Sequence, residues 1–95
     1  MIDIVLSKSC RVCADQLKAA KSLPAGSYQV IEYGSEEFAA LPERNLVYVV
    51  PFVIARAADG TARATRIGFV SVEDLKKLAS GASPPPFNLS RARRG

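Results

Sequence analysis

A nearly continuous apolar run, Ile2-Asp3-Ile4-Val5-Leu6, breaks at Ser7-Lys8-Ser9 and is followed at once by Cys10-Arg11-Val12-Cys13. The β-branched run predicts a buried strand. From Cys13 onward the period becomes helical: Cys13, Leu17 and Ala20 share a face, while Asp15, Lys18 and Lys21 point elsewhere. Asp15 near the start and the lysines near the end suit the helix dipole. Pro24-Ala25-Gly26 stops the helix. A cysteine pair thus sits at the joint between a strand and a helix, and the remaining elements have to be arranged around that joint.

Tyr28 to Tyr33 reads as a second strand, making a βαβ unit whose crossover is expected to be parallel and right-handed. Gly34-Ser35 opens a short helix over Glu36 to Leu41, closed by Pro42. Phe52 to Ala55 and Ala62 to Ile67 read as strands joined at an Asp59-Gly60 turn. Gly68-Phe69 leads into a last helix, capped at Ser71-Val72-Glu73-Asp74, with Val72, Leu75, Leu78 and Ala79 facing inward. The order β-α-β-α-β-β-α predicts an α/β fold with a mixed four-stranded sheet flanked by helices on both faces. Leu46 to Val50 is apolar and ends at Pro51. Runs of that kind are commonly buried strand or core, and the alternative is a docking surface beside Cys10. Phe69 carries the same two readings, core residue under the last helix or wall of a groove.

The chain has 95 residues, enough for one domain with a modest core. Residues 1–81 are assigned to it, and the Pro-rich, basic stretch 82–95 is expected to be a tail. The net charge of +4 owes much to Arg91, Arg93 and Arg94 in that stretch. No folded basic face with interleaved aromatics can be placed, so nucleic acid is not an expected partner. Nothing approaches the roughly 18–20 apolar residues of a membrane span. The start of the chain has no basic lead and too short an apolar run for a secretory signal, so the cytoplasm is the expected compartment. A monomer is expected.

Structural disulfides are rare in the cytoplasm, and one between Cys10 and Cys13 would close too small a loop to stabilise much. Reactivity or metal binding is the better reason for the pair. The chain has no histidine and no third cysteine, which excludes a monomeric tetrahedral zinc site of Cys and His ligands. A helix start leaves backbone N–H groups unpaired and favours thiolate over thiol, and Lys8 and Arg11 add positive charge on either side of Cys10. Thiol–disulfide exchange fits this spacing: Cys10 attacks a disulfide, and Cys13, one turn on, resolves the mixed disulfide. Two other classes stand beside it. One is a Cu(I) or other soft-metal module, which the lack of a methionine next to Cys10 disfavours. The other is a redox-inactive interaction domain, which the presence of both cysteines disfavours.

The segment from the first strand through Ser7-Lys8-Ser9-Cys10-Arg11-Val12-Cys13 and its helix, then Val50-Pro51, then Thr65 to Leu75, resembles the thioredoxin superfamily in order and spacing. Within it, the likeness is to a glutaredoxin or an NrdH-type redoxin, over roughly residues 2 to 80. The resemblance implies a thioredoxin-like fold of glutaredoxin size and a small dithiol electron carrier, with Cys10 the nucleophile and Cys13 the resolving thiol. It further implies a cis peptide at Val50-Pro51, and a substrate-binding surface made by Lys8, Arg11, Val50, Pro51, Gly68 and Phe69. Val50 would pair with a bound peptide or glutathione as a strand does. No bound cofactor is implied beyond the redox-active Cys10–Cys13 disulfide, with glutathione a candidate co-substrate. The implied partners are a protein disulfide, ribonucleotide reductase among the candidates, and either thioredoxin reductase or glutathione as reductant. Arg11-Val12 differs from the Pro-Tyr of common glutaredoxins and the Gly-Pro of thioredoxins, and Ile4 stands where thioredoxins bury an aspartate.

Overall fold

In a computed structural model, residues 1–80 are described, and the expected tail at 82–95 lies outside them. The apolar run becomes β1 (Ile2–Leu6), buried along its whole length. It lies parallel to β2 (Tyr28–Glu32) and antiparallel to β3 (Phe52–Arg56), which pairs antiparallel with β4 (Ala62–Ile67). The mixed sheet has the order β2-β1-β3-β4. α1 (Arg11–Ala20) crosses between β1 and β2, α2 (Glu36–Ala39) follows β2, and α3 (Val72–Ala79) follows β4. No helix among the described residues is long and apolar enough to cross a membrane.

Alternation along β1 sorts the core into two clusters, because successive strand side chains point to opposite faces. Ile2, Ile4 and Leu6 join Val53 and Ala55 beneath Cys13, Ala19 and Ala20 of α1 and Leu75 and Leu78 of α3. Val5, Phe52 and Ile54 meet Ile31, Leu41 and Val47 on the other face, with Phe38 of α2 packed against them. Val50 touches both clusters. Ser71 caps α3 by accepting the Asp74 N–H, with Glu73 and Asp74 in the first turn and Lys76 and Lys77 in the last, matching the dipole. The β3–β4 connection turns at Gly60, whose φ of +90° favours glycine, and Asp59 accepts from the Thr61 N–H and hydroxyl.

Two expectations are corrected. The segment Leu46 to Val50 is neither strand nor continuous core. Arg44–Leu46 forms a single 3-10 turn, and the chain then runs irregularly to Pro51. Only Val47 is buried there; Leu46, Tyr48 and Val49 are exposed, Tyr48 at 76%. The segment runs from the 3-10 turn into the cis Val50-Pro51 bond and pairs with no strand of the four-stranded sheet, so no repeating contact covers its side chains. The core reading of Phe69 also fails, since its side chain is 52% exposed.

The face opposite α1 and α3 holds a cluster of charges that apolar periodicity does not announce. Arg56 donates to both Glu43 carboxylate oxygens at 2.8 Å and through Nε to Asp3 at 3.0 Å. All three side chains are largely buried, at 11–13% exposure. The guanidinium bonded to Glu43 holds its carboxyl below the usual range. Buried charge is tolerated only when answered in this way. The cluster ties the connection that carries residues 43–51 to the start of β1 and the end of β3.

Candidate active site

Cys10 occupies the N-cap of α1 in an extended conformation. Its sulfur does the work of a capping oxygen: the Cys13 N–H donates to Cys10 Sγ at 3.1 Å. The first turn of α1 holds no acidic side chain, Asp15 lying just beyond it, so no carboxylate of that turn competes with Cys10 for the helix start. Cys10 is half-buried and Cys13 is buried at 2% exposure. Burial, and secondarily the hydrogen bond with Cys10, push the Cys13 thiol up to about 11. The Ser7 N–H, which donates to Cys13 Sγ at 3.5 Å, works in the other direction and is outweighed. Both sulfurs accept a backbone N–H, but they are inequivalent: Cys10 is half-buried, while Cys13 is enclosed and holds its proton.

Three chain segments are linked around Cys10, two of them in contact with each other at the cysteine and the third bonded to the second. One is its own loop after β1. The second is Val50-Pro51, joined by a cis peptide bond as the resemblance implies. The Cys10 thiol lies 3.9 Å from the Val50 carbonyl oxygen, which can accept from it. The third is the corner after β4, where the Gly68 N–H donates to the Pro51 carbonyl at 2.8 Å. Gly68 has a φ of +89°, a conformation side chains with a Cβ rarely adopt. Pro51 is buried, while Phe69, the residue after Gly68, stands half in solvent.

Of the residues singled out from sequence, Val50, Pro51 and Gly68 are thus connected to Cys10 by this relay of contacts, with Phe69 next to Gly68. Lys8 and Arg11 fare differently. Lys8 is highly exposed, and its ammonium pairs with Glu32 at 3.6 Å, so its charge is shared with a carboxylate. Arg11 is the exposed first residue of α1. A groove of about 300 Å³ also opens on both cysteines, walled by Leu6, Ala14, Leu17 and Val30 with Lys8 and Glu32 in its lining. It lies toward β2, whereas Val50, Pro51, Gly68 and Phe69 stand toward β3 and β4. The cysteine pair therefore has two approaches rather than one.

No family model matches the chain, and no curated protein matches it.

Sequence reading passed over Gln16, the fully buried polar residue of α1. Its signal was present: a carboxamide placed three residues after Cys13, on the inward face of an amphipathic helix, must find partners inside. Asp3, within an apolar strand, gave the same kind of signal for the charge cluster. Among the described residues, no group of three or more His, Cys, Asp or Glu is placed to hold a metal ion.

Proposed function

We propose that this protein is a small thiol–disulfide oxidoreductase of thioredoxin-like fold, a dithiol electron carrier that reduces protein disulfides or glutathione mixed disulfides. The observation that carries this reading is the inequivalence of the two sulfurs, with an accessible Cys10 capped onto a helix start and an enclosed Cys13 one turn behind it. The α/β architecture, with its cysteine pair at the strand–helix joint and Val50-Pro51 alongside, supports it.

In the reaction, Cys10 loses its proton to solvent and attacks one sulfur of the substrate disulfide. A Cys10–substrate disulfide forms, the substrate S–S bond breaks, and the departing thiolate takes up a proton. Cys10 then no longer carries a negative charge or accepts from Cys13, and both influences that Cys10 exerts against ionisation of Cys13 are lifted. Cys13 loses its proton and attacks Cys10 Sγ, releasing the second substrate thiolate, which is protonated in turn. Two electrons have passed to the substrate, and the protein holds a Cys10–Cys13 disulfide. A reductant must return two electrons, either a reductase of the thioredoxin reductase class or two molecules of glutathione. A cytoplasmic setting, where such reductants abound, fits this role.

The test is turnover of a disulfide substrate with NADPH, supplied in parallel through thioredoxin reductase or through glutathione and glutathione reductase. Turnover through one of them, lost in Cys10→Ser, is the expected result. Reduced, folded protein that turns over with neither, or a Cys10→Ser variant with full activity, contradicts the reading.

A further inference from the structure

The corner that follows β4 is pinned at both ends. At Gly68, the N–H donates to the Pro51 carbonyl. At Val70, both backbone polar groups are taken by one side chain: the Val70 N–H donates to Gln16 Oε1 at 2.6 Å, and Gln16 Nε2 donates to the Val70 carbonyl at 3.0 Å. Gln16 thus pairs with Val70 much as a neighbouring strand would, from the helix that bears the cysteines. A leucine or methionine at this position would fill the same space but leave a buried N–H and a buried carbonyl unpaired. Between the two anchors stands Phe69, with its ring 52% exposed. An aromatic side chain held on a fixed backbone contributes contact area to a partner with little ordering left to lose.

We propose that Gln16 is a positioning residue for protein substrates: by tying Val70 to α1, it fixes Phe69 as a rigid aromatic contact on the corner that Gly68 bonds to Pro51. This rests on the dithiol reading above and adds to it a determinant of affinity separate from the sulfur chemistry. The Gln16 carboxamide is spent on Val70 through both its oxygen and its nitrogen, and its effect is expected on substrate binding alone.

The test uses pre-reduced protein in single-turnover reduction of insulin over a range of concentrations, and of 2-hydroxyethyl disulfide as a small substrate. Gln16→Met, Phe69→Ala and the double variant are compared with wild type. Loss of Gln16 is expected to raise the half-saturating insulin concentration about 5-fold, with the limiting rate and the small-disulfide rate within about 2-fold of wild type. Phe69→Ala is expected to do the same, and the double variant to be no worse than the worse single one. Ile54→Val, a destabilising change in the opposite core cluster, controls for stability and is expected to leave half-saturation unmoved. Unchanged half-saturation in Gln16→Met, additive effects in the double variant, equal losses with the small disulfide, or the same shift in Ile54→Val overturns the proposal. If wild type reduces neither substrate, the dithiol reading falls, and amide hydrogen exchange decides the anchoring. Faster exchange at Val70 with a changed Phe69 ring environment in Gln16→Met upholds it, and no change overturns it.

Discussion

The two faces of the sheet are closed by different means. On one, α1 and α3 lay apolar stripes over Ile2, Ile4, Leu6, Val53 and Ala55, and the buried polar side chain there, Gln16, is answered by backbone. On the other, a four-residue helix, a 3-10 turn and an irregular segment cover Val5, Ile31, Phe52 and Ile54, and the seal is completed by Asp3, Arg56 and Glu43. The difference shows how labour is divided. The regular face sets the cysteines on a rigid helix start. The irregular face anchors its connection through charge, which frees Leu46, Tyr48 and Val49 to face solvent on the way to Val50 and the site.

The sharpest way to break this comparison is Arg56→Met. It leaves two carboxylates buried without their cation, and a loss of about 3–5 kcal/mol is expected in urea denaturation. A loss below about 1 kcal/mol would mean that charge does not hold the second face. On the first face, Leu75→Ala empties a fully buried site, and about 2–5 kcal/mol is expected by the same measurement, with no dependence on pH. The pH profile separates the two faces further. The carboxyl of Glu43 is held below its unfolded value of about 4.3, so its contribution is present above that pH and is lost as pH falls through the lower, folded value. Glu43→Gln is therefore expected to flatten the acid side of the stability profile, and an unchanged acid limb would contradict the assignment. The smallest effect is expected at Tyr48→Ser, within about 0.5 kcal/mol of wild type in stability, because the side chain is exposed. A larger loss would show that the segment is more tightly packed than its exposure indicates.

What the sequence reveals follows the same division. β1 is legible as a short apolar run because it is buried on both faces, and α1 and α3 are legible because an apolar stripe is fixed by burial on one face. The Ser71 cap and the Asp59-Gly60 turn are legible because few residue types suit those backbone positions. Leu46 to Val50 misleads for the opposite reason. Its apolar residues are not placed by any repeating contact, and whether they are covered is a property of the whole topology. The cysteine pair and the order of its roles are legible from the spacing and the helix start, but how deeply Cys13 is enclosed is not. That enclosure comes from a core cluster that also holds Leu6, Val53 and Val70, residues far apart in the chain. Gln16 and Arg56 belong to the same class, since the partners that make them useful lie many residues away.

The central claim is that Cys10 attacks and Cys13 resolves. It is tested most directly by trapping. Cys13→Ser and Cys10→Ser variants are mixed with a protein disulfide substrate, quenched with acid, and analysed by intact mass. Cys13→Ser is expected to accumulate a one-to-one disulfide adduct through Cys10, because nothing remains to resolve it, while Cys10→Ser yields none because Cys13, 2% exposed, is out of reach of a protein disulfide. Equal adducts from both variants, or an adduct only through Cys13, would contradict the account.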